Sequence, residues 1–198
     1  MRDGKNALNQ RIASRVRAGR AAKGLSLDAL AAKSGVSRSM ISLIERAKAS
    51  PTAVVLEKLA AGLGVTLGSL FEASQAAQAS ASPVARLKDQ LQWTDPASGY
   101  SRRNVSPAGV PQPMRIVEVH FPPRARVAFE SGPRSAQVHQ QIWMLHGAMD
   151  ITVGAERHRL SQGDCLAMEL NGPTMFYNPT RKAARYAVVI ASQSASRR

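Results

Sequence analysis

Hydrophobic residues in the first third of the chain recur at helical spacing. Leu8, Ile12 and Val16 lie four residues apart, and Ile41 and Ile44 fall on one face of a shorter segment. Ser26, Ser37 and Thr52 are good N-cap residues, and Gly35 and Pro51 interrupt the pattern. The pattern predicts a bundle of five short helices, over residues 8–24, 26–34, 37–46, 52–63 and 65–71.

After residue 110 the pattern changes to short strands. The run RIVEVHF at 115–121 alternates apolar and polar residues. Six further runs follow, divided by Gly, Pro, Asn or Asp: QIWMLHG, MDITVG, RHRL, DCLAMEL, TMFYN and ARYAVVIA. Such a cadence is typical of an antiparallel barrel or sandwich. Between 84 and 110, RLKDQLQW and YSRRNV are compatible with strands that open it.

The segment ASQAAQASASP at 73–83 has almost nothing to bury and is typical of a flexible linker. It divides the chain into a helical domain at 1–72 and a strand domain at 84–198, whose core spans about 110–192. We therefore expect an α+β multidomain protein in which the linker keeps the two cores apart.

Charge is concentrated in the helical part. The 198-residue chain has a formal net charge of +14. Residues 1–72 contain 12 Lys and Arg against 5 Asp and Glu, a charge density that suits a phosphate-facing module. No run of apolar residues is long enough to cross a membrane, and the single Cys165 excludes an internal disulfide. These features favour a cytoplasmic protein without a membrane partner.

The stretch SLDALAAKSGVSRSMISLIER at 26–46 reads as two helices joined by a tight turn. Its second helix would expose Arg and small hydroxyl side chains, which suits insertion into a DNA major groove. Together with LEKLAAGLGVTLGSLFE downstream, the run resembles the helix-turn-helix domain of the XRE/Cro (phage-repressor-like) family.

The resemblance implies a role for each matching residue. Residues 37–46 become the recognition helix on double-stranded DNA, and Arg20 and Glu45 match a structural ion pair. Ala47 departs from the family, which usually has Gly there; either it adopts a strained backbone or the helix continues through Lys48. The implied DNA-binding residues are Ser26, Ser37, Arg38, Ser39, Ser42, Arg46 and Lys48, with Arg38, Ser39 and Ser42 reading bases.

The run QQIWMLHGAMDITVGAERHRLSQGDCLAMELNGPTMFYNP resembles a cupin, a double-stranded β-helix barrel. Many cupins hold a metal on a His-x-His pair, a Glu and a second His. Those positions fall here on 134 and 136 or 133 and 135, on Gln140 and on Thr174, and none is a good ligand. We therefore expect no metal, no cofactor and no enzyme activity.

A barrel without a metal can still bind a small molecule. Strand alternation places six side chains inside it, as a candidate effector pocket or a filled core: Gln140, Ile142, Met144, Thr174, Phe176 and Asn178.

These observations predict a transcriptional regulator that binds a palindromic operator as a homodimer and senses a small molecule. Two alternatives stay open at this point. One is a metal-dependent cupin enzyme targeted to DNA. The other is a constitutive or antitoxin-like DNA-binding module whose barrel only joins subunits.

Overall fold

The computed structural model describes residues 2–71, 82–110, 113–130 and 137–193. Most of the predicted linker at 73–83 lies outside these residues. The described part of the helical half contains four α-helices: α1 Arg2–Ala22, α2 Leu27–Ser34, α3 Arg38–Glu45 and α4 Ala53–Gly62.

The prediction of a fifth α-helix is wrong. Leu67–Phe71 is a single 3₁₀ turn, in which the backbone N–H and the hydroxyl of Ser69 both donate to Thr66. Five residues that include Gly68 are too few to repay the cost of nucleating an α-helix. Leu70 and Phe71 are nevertheless buried, as the apolar pattern requires.

Hydroxyl caps start α2, α3 and α4. The side chains of Ser26, Ser37 and Thr52 each accept a hydrogen bond from the backbone N–H three residues later, at distances of 3.0 to 3.3 Å. Gly35 ends α2 in the left-handed conformation, with φ 66°. The helix starts inferred from these local signals agree with the structure.

The second half forms two antiparallel sheets. A six-stranded sheet has the order β1-β2-β3-β10-β5-β8, and a four-stranded sheet has the order β4-β9-β6-β7. The strands are β1 Gln92–Thr94, β2 Ser101–Asn104, β3 Met114–Phe121, β4 Arg126–Phe129, β5 Gln137–His146, β6 Ala148–Val153, β7 Glu156–Ser161, β8 Cys165–Glu169, β9 Thr174–Tyr177 and β10 Ala184–Gln193.

The prediction of a closed barrel is also wrong. In the described residues no strand ladder joins the two sheets, so the barrel stays open. The strands at the open edges, such as β1 and β4, have only three and four residues. Side chains packed between the facing sheets, including Phe121, Ile142 and Phe176, hold the sheets together instead.

The two halves are in direct contact, contrary to the expectation that the linker separates their cores. Phe71 of the helical half packs against Trp93 of β1 with ring centroids 5.5 Å apart, and Trp93 packs edge-on against Tyr100 at 5.8 Å. At the start of α4, the backbone N–H of Ala53 donates to the buried carboxylate of Asp95 at 2.9 Å. Buried residues of both halves thus form one continuous core.

None of the helices that the structure describes is long and apolar enough to cross a membrane.

Candidate DNA-binding surface and effector cavity

The N-terminal end of α3 presents a polar surface to solvent. Ser37, Arg38 and Ser39 are exposed, while Ile41 and Ile44 on the opposite face are buried at 0% and 1% exposure. The high polarity of one face and the buried aliphatic side chains of the other fix the orientation of the helix. Of the remaining predicted contacts, Ser26, Arg46 and Lys48 are exposed and Ser42 is half-buried.

Asp28 and Met40, which were not among the predicted contacts, also lie beside this surface. Nε of Arg38 lies 3.2 Å from a carboxylate oxygen of Asp28, and both side chains are largely exposed. Such an exposed pair adds little to stability, but it places a negative charge beside the proposed base-reading cation. Met40 is 37% exposed and adds an apolar side chain to this surface. Helical spacing alone gave no signal for either feature.

Arg20 and Glu45 form a bidentate ion pair between α1 and the end of α3. Nε and Nη2 of Arg20 donate to the two carboxylate oxygens of Glu45 at 2.6 and 2.8 Å. Nη1 of Arg20 also donates to the carbonyl oxygen of Leu25, at 2.9 Å. Hydrogen bonding to Glu45 raises the pKa of the Arg20 guanidinium. The pair therefore fixes α3 relative to the rest of the helical half.

Ala47 settles the two alternatives that the sequence left open for the end of α3. The helix ends at Glu45, and Ala47 adopts the left-handed conformation with φ 54°. The N–H of Ala47 donates to the Ile44 carbonyl, and the N–H of Lys48 to the Leu43 carbonyl, both at 2.9 Å. This pattern is a Schellman motif, with alanine at the position that favours glycine.

Replacing Ala47 with glycine is expected to stabilise the protein by about 0.5–1 kcal/mol, because glycine adopts this conformation without steric cost. Urea denaturation monitored by circular dichroism measures the change. Ala49→Gly, two residues later, is a control that is not expected to stabilise. An unchanged or lower midpoint for Ala47→Gly would show that the turn is not strained.

A cavity of about 90 Å³ lies between the sheets, at the boundary with the helical half. Three of the six predicted pocket residues line it: Gln140, Thr174 and Phe176. The helical half also contributes to the wall, through four residues that were not predicted to lie there: Glu57, Thr66, Leu67 and Gly68.

The other three predicted pocket residues do not line this cavity. Ile142 and Met144 are buried at 0% and 1% exposure within the packed core. Asn178 is fully buried; its amide group donates to the carbonyl oxygens of Pro122 and Lys182, and its side-chain oxygen accepts from Thr180. Asn178 follows the end of β9, and its hydrogen bonds connect the neighbouring loops.

Three polar side chains in or next to the six-stranded sheet, Tyr100, Arg102 and Tyr186, are buried beside the cavity. Burial raises the pKa of the Tyr100 and Tyr186 hydroxyls and lowers the pKa of the Arg102 guanidinium. Arg102 is 7% exposed, and its guanidinium lies 4.6 Å from the centre of the Phe71 ring. The cavity is therefore mainly apolar with one buried cation in its wall.

The predicted metal-ligand positions are only partly described. Gln140 is half-buried and Thr174 is buried, while 133–136 lie outside the described residues. Within the part of the chain that is described, no group of three or more His, Cys, Asp and Glu side chains is placed to hold a metal ion. Cys165 is exposed.

The capped helix pair, with one face buried and the other polar and exposed, defines a helix-turn-helix domain. Residues 16–70 match the HTH_3 helix-turn-helix family. No curated protein matches the chain.

The chain is similar to solved structures of transcriptional regulators. The chain is similar to an HTH_3 family transcriptional regulator from Vibrio cholerae, with 24% identity and a TM-score of 0.71 over 94% of this chain and 98% of that one. The Cupin_2 domain of an XRE family transcriptional regulator from Enterobacter cloacae aligns with 40% of this chain and 81% of its own, at 15% identity and a TM-score of 0.36. At these identities the likeness concerns the fold alone.

The prediction that the chain is not an enzyme is corrected. Hydroxypropylphosphonic acid epoxidase from S. wedmorenis aligns with 93% of this chain and 98% of its own, at 14% identity and a TM-score of 0.44. At this identity and TM-score the likeness concerns the fold alone.

Proposed function

We propose that the protein is a transcriptional regulator that binds a palindromic DNA operator as a homodimer and senses a small molecule. The observation that carries the proposal is the exposed polar end of α3, held in place by the Arg20–Glu45 ion pair. In proteins of this type the N-terminal residues of such a helix contact base edges. The helix-turn-helix match at residues 16–70 supports the same function, which would be exercised in the cytoplasm.

Within this proposal, Arg38, Ser39 and Ser42 face base edges, while Arg46, Lys48 and the start of α2 at Ser26 receive phosphates. Ser37 keeps its capping role, because its hydroxyl oxygen already accepts from Met40. Arg38 must leave Asp28 to contact a base. Asp28 therefore competes with DNA for the same guanidinium.

Arg38→Ala is expected to weaken operator binding by about 1–3 kcal/mol and to relax the preference at one base pair, because Arg donates two hydrogen bonds to guanine. Selection from random duplexes identifies the operator, and competition binding at several salt concentrations then measures each variant. Lys48→Ala is the matched control: it should weaken all sequences equally and reduce the salt dependence. Equal loss of specificity in both variants would contradict the two roles.

Asp28→Asn is a third variant, which tests whether Asp28 competes with DNA for Arg38. Removing the carboxylate releases Arg38 and lowers the repulsion of phosphates, so operator affinity should rise. Asp89→Asn is a control that also removes one exposed carboxylate, from a position beyond the helical half. A fall in affinity for Asp28→Asn would show that the pair positions Arg38 for DNA rather than competing with it.

The proposed dimer contact is the outer face of the six-stranded sheet. Its exposed apolar side chains include Met114 at 53%, Ile116 at 40% and Trp143 at 52%. Trp143 lies opposite Ala187 on β10 and Cys165 on β8, so small side chains surround it. An exposed apolar patch of this kind is typical of an interaction site.

Trp143→Glu should therefore convert the dimer to a monomer and weaken binding to a palindromic operator, since the half-sites are no longer coupled. Light scattering and sedimentation velocity measure the mass. Ala128→Glu adds the same charge to an exposed position of the four-stranded sheet and should leave the dimer intact. A Trp143→Glu variant that stays dimeric would place the contact elsewhere.

A further inference from the structure

A buried guanidinium group borders the cavity between the two halves. Arg102 lies in β2 with its side chain directed inward and 7% exposed. Its neighbour Arg103 points to the other face and pairs with Glu118. The two arginines thus occupy adjacent positions with opposite environments.

The buried charge of Arg102 is incompletely compensated. Its Nε atom is fully buried and has no hydrogen-bond partner. Tyr100, Glu57 of α4 and Tyr186 favour its charge electrostatically, and its guanidinium lies over the ring of Phe71. A buried cation costs several kcal/mol unless an anion is hydrogen-bonded to it. The site therefore favours an anionic ligand that supplies this partner.

The rest of the wall limits the ligand. Most of it is aliphatic or aromatic, and the volume of about 90 Å³ corresponds to about three water molecules. Glu57 repels additional negative charge, so a singly charged group fits better than a doubly charged one. The apolar part of the wall includes Val117, Val119, Val127, Val138, Phe176 and Val188.

We infer that this cavity binds a small monocarboxylate with a short apolar body, whose carboxylate group is held by Arg102. The inference deepens the proposed function, since this ligand would be the effector. Thr66, Leu67 and Gly68 border the cavity from the helical half, three to five residues before the buried Phe71. The ligand would thus contact both halves, and its binding would depend on how they pack against each other.

Calorimetric titration of the full-length protein with butyrate and hexanoate, in buffer without other carboxylates, tests the inference. The uncharged amides of the same acids serve as matched ligands. At least one acid should bind at least tenfold more tightly than its amide. Arg102→Met should lower that affinity at least tenfold, because it keeps the apolar bulk and removes the charge. Arg103→Met should leave it unchanged.

Thermal denaturation keeps a negative result interpretable. Arg102→Met also removes the cation that faces the buried Glu57, so its melting curve is used to show that the variant is folded at the temperature of the titration. Equal binding of acid and amide, full binding by Arg102→Met, or no binding of either acid would each overturn the inference.

Arg102 also borders a second cavity, of about 280 Å³. A second pair of variants therefore tests which of the two cavities holds the ligand. Val188→Phe fills the first cavity and should abolish acid binding. Val189→Phe, on the opposite face of β10, should preserve it. Acid binding that survives Val188→Phe would overturn the assignment. Operator binding without any acid is measured separately, so failure of this site and failure of the regulator proposal give different results.

Discussion

Replacing Trp93 with alanine is expected to destabilise the protein by about 3–5 kcal/mol. Trp93 is 4% exposed and packs between Phe71 of the helical half and Tyr100, the residue before β2. Its removal leaves a cavity where the halves meet. Urea denaturation should show the helical and sheet signals melting together in the parent protein, and the helical signal melting first in the variant.

Trp93→Phe provides the control for this experiment. The indole Nε1 is buried without a hydrogen-bond partner, so phenylalanine removes an unsatisfied donor while retaining most of the packing. Trp93→Phe should lower the free energy of unfolding by clearly less than Trp93→Ala does. The fluorescence of Trp143, the other tryptophan, then reports on the sheets alone. Two separate transitions in the parent protein would show that the shared core does not couple the halves.

Glu45→Ala is expected to lower the free energy of unfolding by about 3 kcal/mol, because it leaves the part-buried Arg20 guanidinium without its bidentate partner. The end of α3 should then move relative to α1, and operator affinity should fall even though Glu45 itself is not proposed to contact DNA. A double-mutant cycle with Arg20→Met isolates the pair energy. Additive effects of the two substitutions would show that the ion pair contributes nothing specific.

Local signals in the sequence were sufficient to predict where the helices start and where most of the strands lie. Ser26, Ser37 and Thr52 cap helices because a side-chain hydroxyl reaches an N–H only three residues away. Alternation likewise placed Gln140, Thr174 and Phe176 on the inner faces of their strands. The order of the strands within the sheets was not accessible, because it depends on contacts between distant segments.

The contact between the halves is the main feature that the sequence did not reveal. Trp93 and Arg102 lie in strands of three and four residues, too short to show a reliable period. Their partners, Phe71 and Glu57, belong to a part of the chain with helical periodicity. Composition predicted a linker at 73–83, but the composition of a linker does not determine whether the domains that it connects pack together.

The hydrogen bond between Asp95 and the first turn of α4 affects how this protein can be recombined with others. A chimeric regulator joined within the linker would leave α4 without Asp95 and Phe71 without Trp93. A graft that carries residues through Asn104, the end of β2, retains both contacts. The effective unit for exchanging DNA specificity thus includes the first hairpin of the sheet.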